Sequence, residues 1–453
     1  MSTVYMISLG CAKNLVDSEI MLGSLEKRGW LLQEDPLSAE VLLINTCGFI
    51  QSAVEEAVEE ILQLINIKRE YPEKKIVVVG CLVQRYREQL LPELPEVDLF
   101  IGTEGAKDMG AYLNRLMAGE AVEKLQLPER YIMDSSLPRT ITTPLFRSWL
   151  KITEGCDNRC SYCMIPTIRG NLRSRSIEDL VREAQFLEGR GVRELSLIAQ
   201  DLTAFGDDRE KQANLVSLLE NLLGKTTIPW LRLLYLYPSG IDEALLSLMA
   251  SAPRIVPYLD IPFQHVSNSI LAAMNRRYTA EDLYRLIVRI RTYLPEVALR
   301  TTFLVGFPGE TEQDIVQLEK FMRDARLDHV GIFSYANEEG CPSEHFPGQC
   351  TEEEKDERRG HLLAVQAEIS AEIQKKYIGR LEQVLIEGYS SETDLLLEGR
   401  TRFQAPDVDG CVYIAEGEAS PGEIALVNIT EAHIYDLVGR IIDPEKTGVF
   451  SGQ

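Results

Sequence analysis

The 453-residue sequence predicts an α/β protein in three parts. These are an N-terminal parallel-sheet α/β domain, a central open or partial (β/α)6 barrel and a small, closed C-terminal β-barrel. Three observations predict this. Strand-length apolar runs alternate with helical periods over residues 1–120, as in a parallel sheet covered by helices. The alternation resumes at 147 and gives about six β/α units by 376. From 377 to 441 the pattern changes to short strands separated by Gly and polar residues, as in a small barrel.

In the first part, Val4–Leu9 reads as a strand and Asn14–Arg28 as a helix. Val41–Asn45 and Ser52–Arg69 form the next strand and helix, followed by strand Ile76–Val79 and a short helix Gln84–Leu91. Residues 121–146 read as a linker, with Pro128, Pro138 and Pro144 and no sustained period. In the central part (147–376), strand Leu150–Thr153 runs into a cysteine loop. Helix Ser176–Leu187 opens on a Ser176/Asp179 capping pair, and helix Thr279–Tyr293 on Thr279/Asp282. Strands are predicted at Glu194–Ile198, Leu231–Tyr235, Tyr258–Ile261, Arg300–Val305 and Val330–Tyr335. Helices follow at Thr311–Ala325 and, long and charged, at Glu352–Lys376. The small barrel draws on Gln383–Glu387, Asp394–Glu398, Val412–Ile414 and Ile424–Ile429, and 442–453 is a tail.

Hydrophobic residues make up 45% of the chain, enough for packed cores. No run approaches the ~18–20 apolar residues of a membrane helix. Met1–Gly10 lacks the basic, apolar and small-residue segments of a secretory signal. A cytoplasmic protein with no membrane partner is expected. The net charge of −23 disfavours a nucleic-acid partner and suits a basic protein or a small substrate. Nine cysteines, an odd number on a signal-less chain, point to metal or catalysis rather than disulfides.

Gly155-Cys156-Asp157-Asn158-Arg159-Cys160-Ser161-Tyr162-Cys163 carries a C-x3-C-x2-C triplet just after a strand. Its loop can turn three thiolates onto one centre. A structural zinc site normally has four protein ligands, so a zinc loop or plain buried thiols is the competing reading. A [4Fe–4S] cube normally takes four cysteines, and three leave one iron open. The triplet resembles the radical-SAM superfamily, with Tyr162 as its aromatic. The resemblance implies that S-adenosylmethionine binds the open iron and yields a 5′-deoxyadenosyl radical, which takes a hydrogen atom from an unactivated carbon.

Cys11, Cys47 and Cys81 are far apart in sequence, yet each follows one of the first three predicted strands. In a parallel sheet those strand ends are neighbours, where open α/β folds bind ligands. The thiols would converge on one crevice, as a second cluster site would require; three structural cysteines are the alternative. The run Ser8-Leu9-Gly10-Cys11-Ala12-Lys13-Asn14-Leu15-Val16-Asp17-Ser18-Glu19 resembles the methylthiotransferase family. So do Asn45-Thr46-Cys47-Gly48-Phe49, Val79-Gly80-Cys81, Pro166-Thr167-Ile168-Arg169-Gly170 and Arg173-Ser174-Arg175. The likeness covers essentially the whole chain, including a C-terminal TRAM-type, OB-like barrel. It implies two [4Fe–4S] clusters and two uses of S-adenosylmethionine, as methyl donor and as radical source. It also implies a sulfur source and an external electron donor such as flavodoxin or ferredoxin. The product is a CH3–S group placed on an activated carbon.

One branch of that family modifies an adenosine in tRNA. The other, RimO-like, modifies the β-carbon of an aspartate in the small-subunit ribosomal protein S-twelve. The run after Cys11 and Gln404-Ala405-Pro406-Asp407-Val408-Asp409-Gly410 resemble the second. From Tyr377 to Arg440 there are twelve acidic and four basic residues, a net charge of −8. RNA-gripping surfaces are basic, whereas an acidic barrel complements a basic ribosomal protein. tRNA is therefore the lesser expectation. A two-cluster electron carrier or sensor is the non-enzymatic alternative, which does not explain two open irons.

With Tyr162, several strand-end residues are candidates for the S-adenosylmethionine or substrate pocket: Gln200, Asp201, Gln264, His265 and Gly306, to which Arg300 is added from a strand start. Each has a structural alternative as a turn, cap or hydrogen-bonding residue. No residue is singled out as a catalytic acid or base. Cys341, Cys350 and Cys411 lack ligand spacing and read as structural, although a different small or hydroxyl residue is expected in relatives at Cys341.

Overall fold

A computed structural model describes residues 1–209, 213–390, 392–393 and 395–442. The predicted tail after 442 lies outside the described residues, as does Asp394 of one predicted strand.

The N-terminal sheet has six parallel strands: β1 (Thr3–Ser8), β2 (Leu31–Gln33), β3 (Val41–Thr46), β4 (Lys75–Gly80), β5 (Leu99–Ile101) and β6 (Leu125–Gln126). Their spatial order is β2-β1-β3-β4-β5-β6. Alternate residues of β3 and β4 face opposite sides. Val41, Leu43, Val77 and Val79 pack with Val16, Ile20 and Met21 of helix Ala12–Glu26. Leu42, Ile44, Ile76 and Val78 pack with Val54, Ala57 and Ile61 of helix Gln51–Glu70 on the other side. The helices after β1 and β3 thus leave toward opposite faces. A crevice opens at the carboxyl ends of those two strands, the switch point of an open α/β sheet.

The first residues of the expected linker join this sheet as β6. Its later part is a strap: Arg139 binds Glu19 (2.8 Å) of the N-terminal domain, Glu183 (2.5 Å) and the Trp149 carbonyl (2.9 Å). A guanidinium with several planar donors can hold three partners on two domains at once.

The central sheet is six parallel strands in chain order: β7 (Arg147–Lys151), then, after a two-stranded hairpin of β8 (Thr153–Glu154) and β9 (Arg173–Ser174), β10 (Glu194–Ile198), β11 (Trp230–Leu233), β12 (Ile255–Asp260), β13 (Ala298–Val305) and β14 (His329–Ser334). The sequential, unclosed order makes it a partial barrel. Four of its helices carry full capping boxes: Leu215–Lys225, Ala280–Tyr293, Glu312–Ala325 and Glu352–Gln374. The Thr279/Asp282 start is reciprocal, while Ser176 accepts from the Asp179 amide.

The C-terminal part is a closed five-stranded barrel of β15 (Leu381–Tyr389), β16 (Leu397–Thr401), β17 (Val412–Glu416), β18 (Ile424–Ala432) and β19 (Leu437–Ile441). Strand β19, unmarked in the sequence reading, supplies the closure between β17 and β18. The segment after β16 plugs the amino-terminal end of the central sheet. Arg147 binds Asp407 (3.0 Å), the Tyr258 hydroxyl donates to Asp409 (2.7 Å), and His329 meets the Phe403 carbonyl (3.1 Å).

Glu194 is the buried pin of this junction, bonded to Arg232 (2.5 Å) and to Arg400 of the small barrel (2.6 Å). Burial pushes its carboxyl up, but Arg400 and Arg232 outweigh this and hold it at about 2, below its ordinary 4.5. A depressed carboxylate stabilises the fold fully above its ordinary value and loses that contribution as pH falls through about 2. The melting temperature is expected to fall steeply between about pH 5 and about pH 2. Glu194→Gln is expected to begin lower, since it leaves buried Arg232 without a carboxylate and Arg400 with Glu387 alone, and to fall less steeply on that limb.

Candidate active site

Three thiols sit at three neighbouring strand ends. Cys11 follows β1, Cys47 follows β3, and Cys81 opens a short helix (Cys81–Tyr86) directly after β4. That helix begins earlier than the sequence reading placed it. The shift makes Cys81 its first residue and turns the thiol inward, where it is buried. Gly10 has a positive φ of 90°, and a Cβ there would lie 2.9 Å from the Cys47 Cβ. Only glycine lets the two cysteine-bearing turns approach so closely.

The thiols act on one another electrostatically. Burial first, and then the neighbouring thiols, push Cys81 up to about 11, and burial and Cys11 raise Cys47. Cys11, on the open rim of the crevice with its sulfur turned toward Lys13, goes the other way. Burial opposes its charge, but Lys13, the Asn14 amide and Arg169 hold it below the ordinary thiol value.

The second triad lies on the loop after the hairpin strand β8. Gly155 has φ 78°, and a Cβ there would fall 2.1 Å from the Asn171 carbonyl, so the loop closes on glycine. The Cys156 amide bonds the Gly170 carbonyl at 3.0 Å. The Ser161 amide bonds the Met274 carbonyl (3.1 Å), and Asn275 donates to the Arg159 carbonyl (2.8 Å), which ties the loop to helix Asn268–Ala273 and the turn after it. Burial pushes Cys156 up to about 11; burial and then Cys160 raise Cys163 further.

Each triad has its own arginine. Arg169 reaches the Cys81 sulfur at 3.3 Å, and Arg276 reaches the Cys160 sulfur at 3.5 Å while bonding the Tyr278 hydroxyl at 2.7 Å. Arg169 also binds Asp17 (2.7 Å), Glu154 (3.5 Å) and the Asn14 carbonyl oxygen of the side chain (3.2 Å). Lys151 joins the same buried group through Asp17 and Glu154, the latter at 2.8 Å. Asp17 belongs to the first domain and Lys151, Glu154 and Arg169 to the second. Two cations and two anions therefore neutralise each other across the domain junction. The sequence reading missed this group. Asp17 and Arg169 stood in the quoted motif runs, but nothing in them showed that the two meet each other, Lys151 and Glu154.

The expected pocket residues fall into distinct surroundings. Tyr162 lies edge-on to Phe307 (6.4 Å between centroids). Gln200 donates to Glu154 (3.0 Å), and so supports the junction. Asp201 accepts from Asn158 of the cysteine loop (2.7 Å) and from the Thr203 amide (2.9 Å). Gln264 adopts a positive φ of 70° and bridges Phe303 through its backbone. His265 is fully buried between Glu310 (3.2 Å) and the Ser267 amide (2.9 Å). The Gly306 amide binds that same Glu310 (2.8 Å), and a Cβ on Gly306 would meet Lys355 at 2.3 Å. Arg300 pairs with Asp260 (3.3 Å) and Asp409 (3.4 Å), which places it at the small-barrel junction.

Among the described residues, no three His, Cys, Asp or Glu side chains close round a single ion. A cube spreads its thiolates over separate irons and needs a wider set. Two sets of three unpaired, mutually repelling thiols, each with a cation at one sulfur, are a donor chemistry that fits one [4Fe–4S] cluster apiece.

Three family models match in the order of the three parts: an uncharacterised protein family, UPF0004, over residues 3–102, the radical SAM superfamily over 150–322 and a TRAM domain over 378–442. The radical S-adenosylmethionine methyltransferase TsrM from Kitasatospora setae shares the fold. The match has a TM-score of 0.55 at 15% identity and covers 86% of this chain and 79% of that one. A sheet domain with three strand-end thiols, set on a radical-SAM barrel with three of its own and followed by a TRAM barrel, defines a radical-SAM methylthiotransferase, an enzyme that uses S-adenosylmethionine and [4Fe–4S] clusters. The ribosomal protein uS12 methylthiotransferase RimO of Desulfotalea psychrophila is 58% identical over 97% of this chain and 99% of its own length. That of Trichlorobacter lovleyi is 46% identical over 97% and 98%. This chain belongs to the RimO family.

Proposed function

We infer that the chain places a methylthio group on the β-carbon of an aspartate in ribosomal protein uS12. In this reading Cys11, Cys47 and Cys81 hold one [4Fe–4S] cluster, and Cys156, Cys160 and Cys163 hold the one that binds S-adenosylmethionine. The carrying observation is the single buried group Asp17–Lys151–Glu154–Arg169, which ends on the Cys81 sulfur and fixes one thiol triad against the domain of the other. When bound, the cofactors supply the radical and the methylated sulfur. The protein's residues orient them: Asn158 and Asp201 shape the central loop, Arg276 neutralises charge at Cys160, and Arg169 does so at Cys81.

The acidic barrel supports a basic protein partner. Several of its acids are engaged internally, Glu387 with Arg400 and Asp407 with Arg147. Glu392, Glu416, Glu418, Glu423 and Glu431 remain exposed. The barrel plugs the amino-terminal end of the central strands, away from the cysteine loops, so a partner held there approaches the site from outside the sheet. A ribosomal substrate places the work in the cytoplasm, with a flavodoxin or ferredoxin as electron donor and an added sulfur source. Among the described residues no helix is long and apolar enough to cross a membrane.

Anaerobic turnover of reconstituted protein with reductant, sulfide, S-adenosylmethionine and either a uS12 peptide or tRNA tests the reading. The expected result is a methylthio mass gain on the peptide's aspartate. A gain on tRNA alone overturns it.

A further inference from the structure

Lys13 stands two residues past Cys11 on the first turn of helix Ala12–Glu26, yet its ammonium reaches the other domain. Its nitrogen lies 3.5 Å from the centre of the Tyr235 ring, just past the carboxyl end of β11. Tyr235 holds this place with a left-handed φ of 64°, uncommon for an aromatic residue, and its amide bonds Asp260 at 3.1 Å. The cation therefore bridges the first thiol triad and the carboxyl-terminal end of the partial barrel, where such folds place their chemistry.

Lys13 lies in the field of the Cys11 thiol, but among the described residues it has no carboxylate partner. Among the described residues, no carboxylate lies within ion-pair distance of its nitrogen and no acceptor is hydrogen-bonded to it. The nearby acids are engaged elsewhere. Asp260 accepts from the Tyr235 amide and from Arg300 (3.3 Å), and Glu154 accepts from Lys151 (2.8 Å) and Gln200 (3.0 Å). The aromatic face supplies one side of the ammonium's environment. Three N–H donors remain for a ligand, whereas the buried cations Lys151 and Arg169 beside it already have their carboxylates.

We propose that Lys13 receives the side-chain carboxylate of the substrate aspartate, and so selects an acidic over a neutral side chain. The inference rests on the function proposed above. The carboxylate is one bond from the carbon to be modified, so an ammonium that holds it fixes that carbon beside Cys11, with the barrel end on its other side. Tyr235 limits where the ammonium can sit.

Peptides carrying Asp or Asn at the target position would be given to wild-type, Lys13→Met and Lys13→Arg holoenzymes. Peptide affinity would be read by fluorescence anisotropy and turnover by mass spectrometry. Iron content and melting temperature would be matched first. A charge-assisted hydrogen bond of this kind carries roughly 10–100-fold. Wild type is expected to prefer the Asp peptide by about that factor. Lys13→Met is expected to lose most of the preference, chiefly through peptide affinity and KM, and Lys13→Arg to keep part of it. Unchanged Asp-peptide affinity and preference in Lys13→Met would overturn the inference, as would a rise in the KM for S-adenosylmethionine alone. Should Lys13→Met fail to hold iron, Lys13→Arg and the wild-type Asp/Asn comparison still decide: equal use of the two peptides by wild type is incompatible with it. A wild type that modifies neither peptide removes the underlying function as well, which is a different result from an active wild type matched by its variant.

Discussion

Cys156→Ala is expected to abolish both 5′-deoxyadenosine formation and methylthio transfer, whereas Cys81→Ala abolishes transfer and leaves 5′-deoxyadenosine formation in place. The difference follows from the two separate triads. Cys156 begins the central loop, and its loss removes one of three thiolates from a site with no fourth cysteine among its neighbours in sequence. Cys81 is buried under Arg169 and packs against Met164 and Ile168 just past that loop, but it is not one of the loop's three thiols. Each variant is expected to bind about half of the roughly eight irons of two cubes. Iron analysis and quantified 5′-deoxyadenosine check this. A Cys81→Ala protein that forms no 5′-deoxyadenosine would mean that the two sites do not assemble independently.

Arg169→Met is expected to be the most destabilising substitution at the domain junction, at about 3–5 kcal/mol, the usual cost of removing one partner of a buried ion pair. Its guanidinium meets Asp17, Glu154, Asn14 and the Cys81 sulfur together. Without it, two buried carboxylates share Lys151 alone. Arg169→Lys is expected to recover only part of the loss, because one ammonium cannot span four partners set round a planar fork. Denaturant unfolding reads the stability. Loss of iron from the first triad with retention in the second, measured in Cys156→Ala and Cys81→Ala backgrounds, would show that the arginine also positions Cys81.

The six cysteines were legible for two different reasons. Cys156, Cys160 and Cys163 are local: their spacing and the preceding strand are in one stretch of chain. Cys11, Cys47 and Cys81 could be grouped because parallel strands carry their ends to one edge, so a repeated address after successive apolar runs substitutes for proximity. The long amphipathic helices were equally readable, and the Thr279/Asp282 start appears as a full capping box. The short elements were not. β2, β5 and β6 have three, three and two residues, too few to show a period, and exist because neighbouring strands offer them partners. Helix Glu243–Ser251 has apolar residues through most of its length, which blurs its helical stripe.

The pocket residues were the least readable part. His265, Gly306 and Arg300 looked alike in sequence, each a polar or small residue close to a strand. Tertiary contacts separate them: His265 and Gly306 share Glu310, while Arg300 belongs to the acidic loop of the small barrel. Lys13 was written in the sequence as one more charge beside a cysteine, and only the approach of Tyr235 from more than two hundred residues away shows that its ammonium meets an aromatic face of the other domain rather than a carboxylate.

By itself, the sequence determined the three-part α/β architecture and the strand-end addresses of six cysteines, because periodicity and strand ends are properties of contiguous chain, and its motif runs carried the resemblance to the family. Only the tertiary structure decided how the triads are joined, through Arg169 and the Asp17–Lys151–Glu154 group, and which charges are left for a substrate. Compensation between buried charges depends on which side chains meet across domains, and a linear pattern does not encode that meeting.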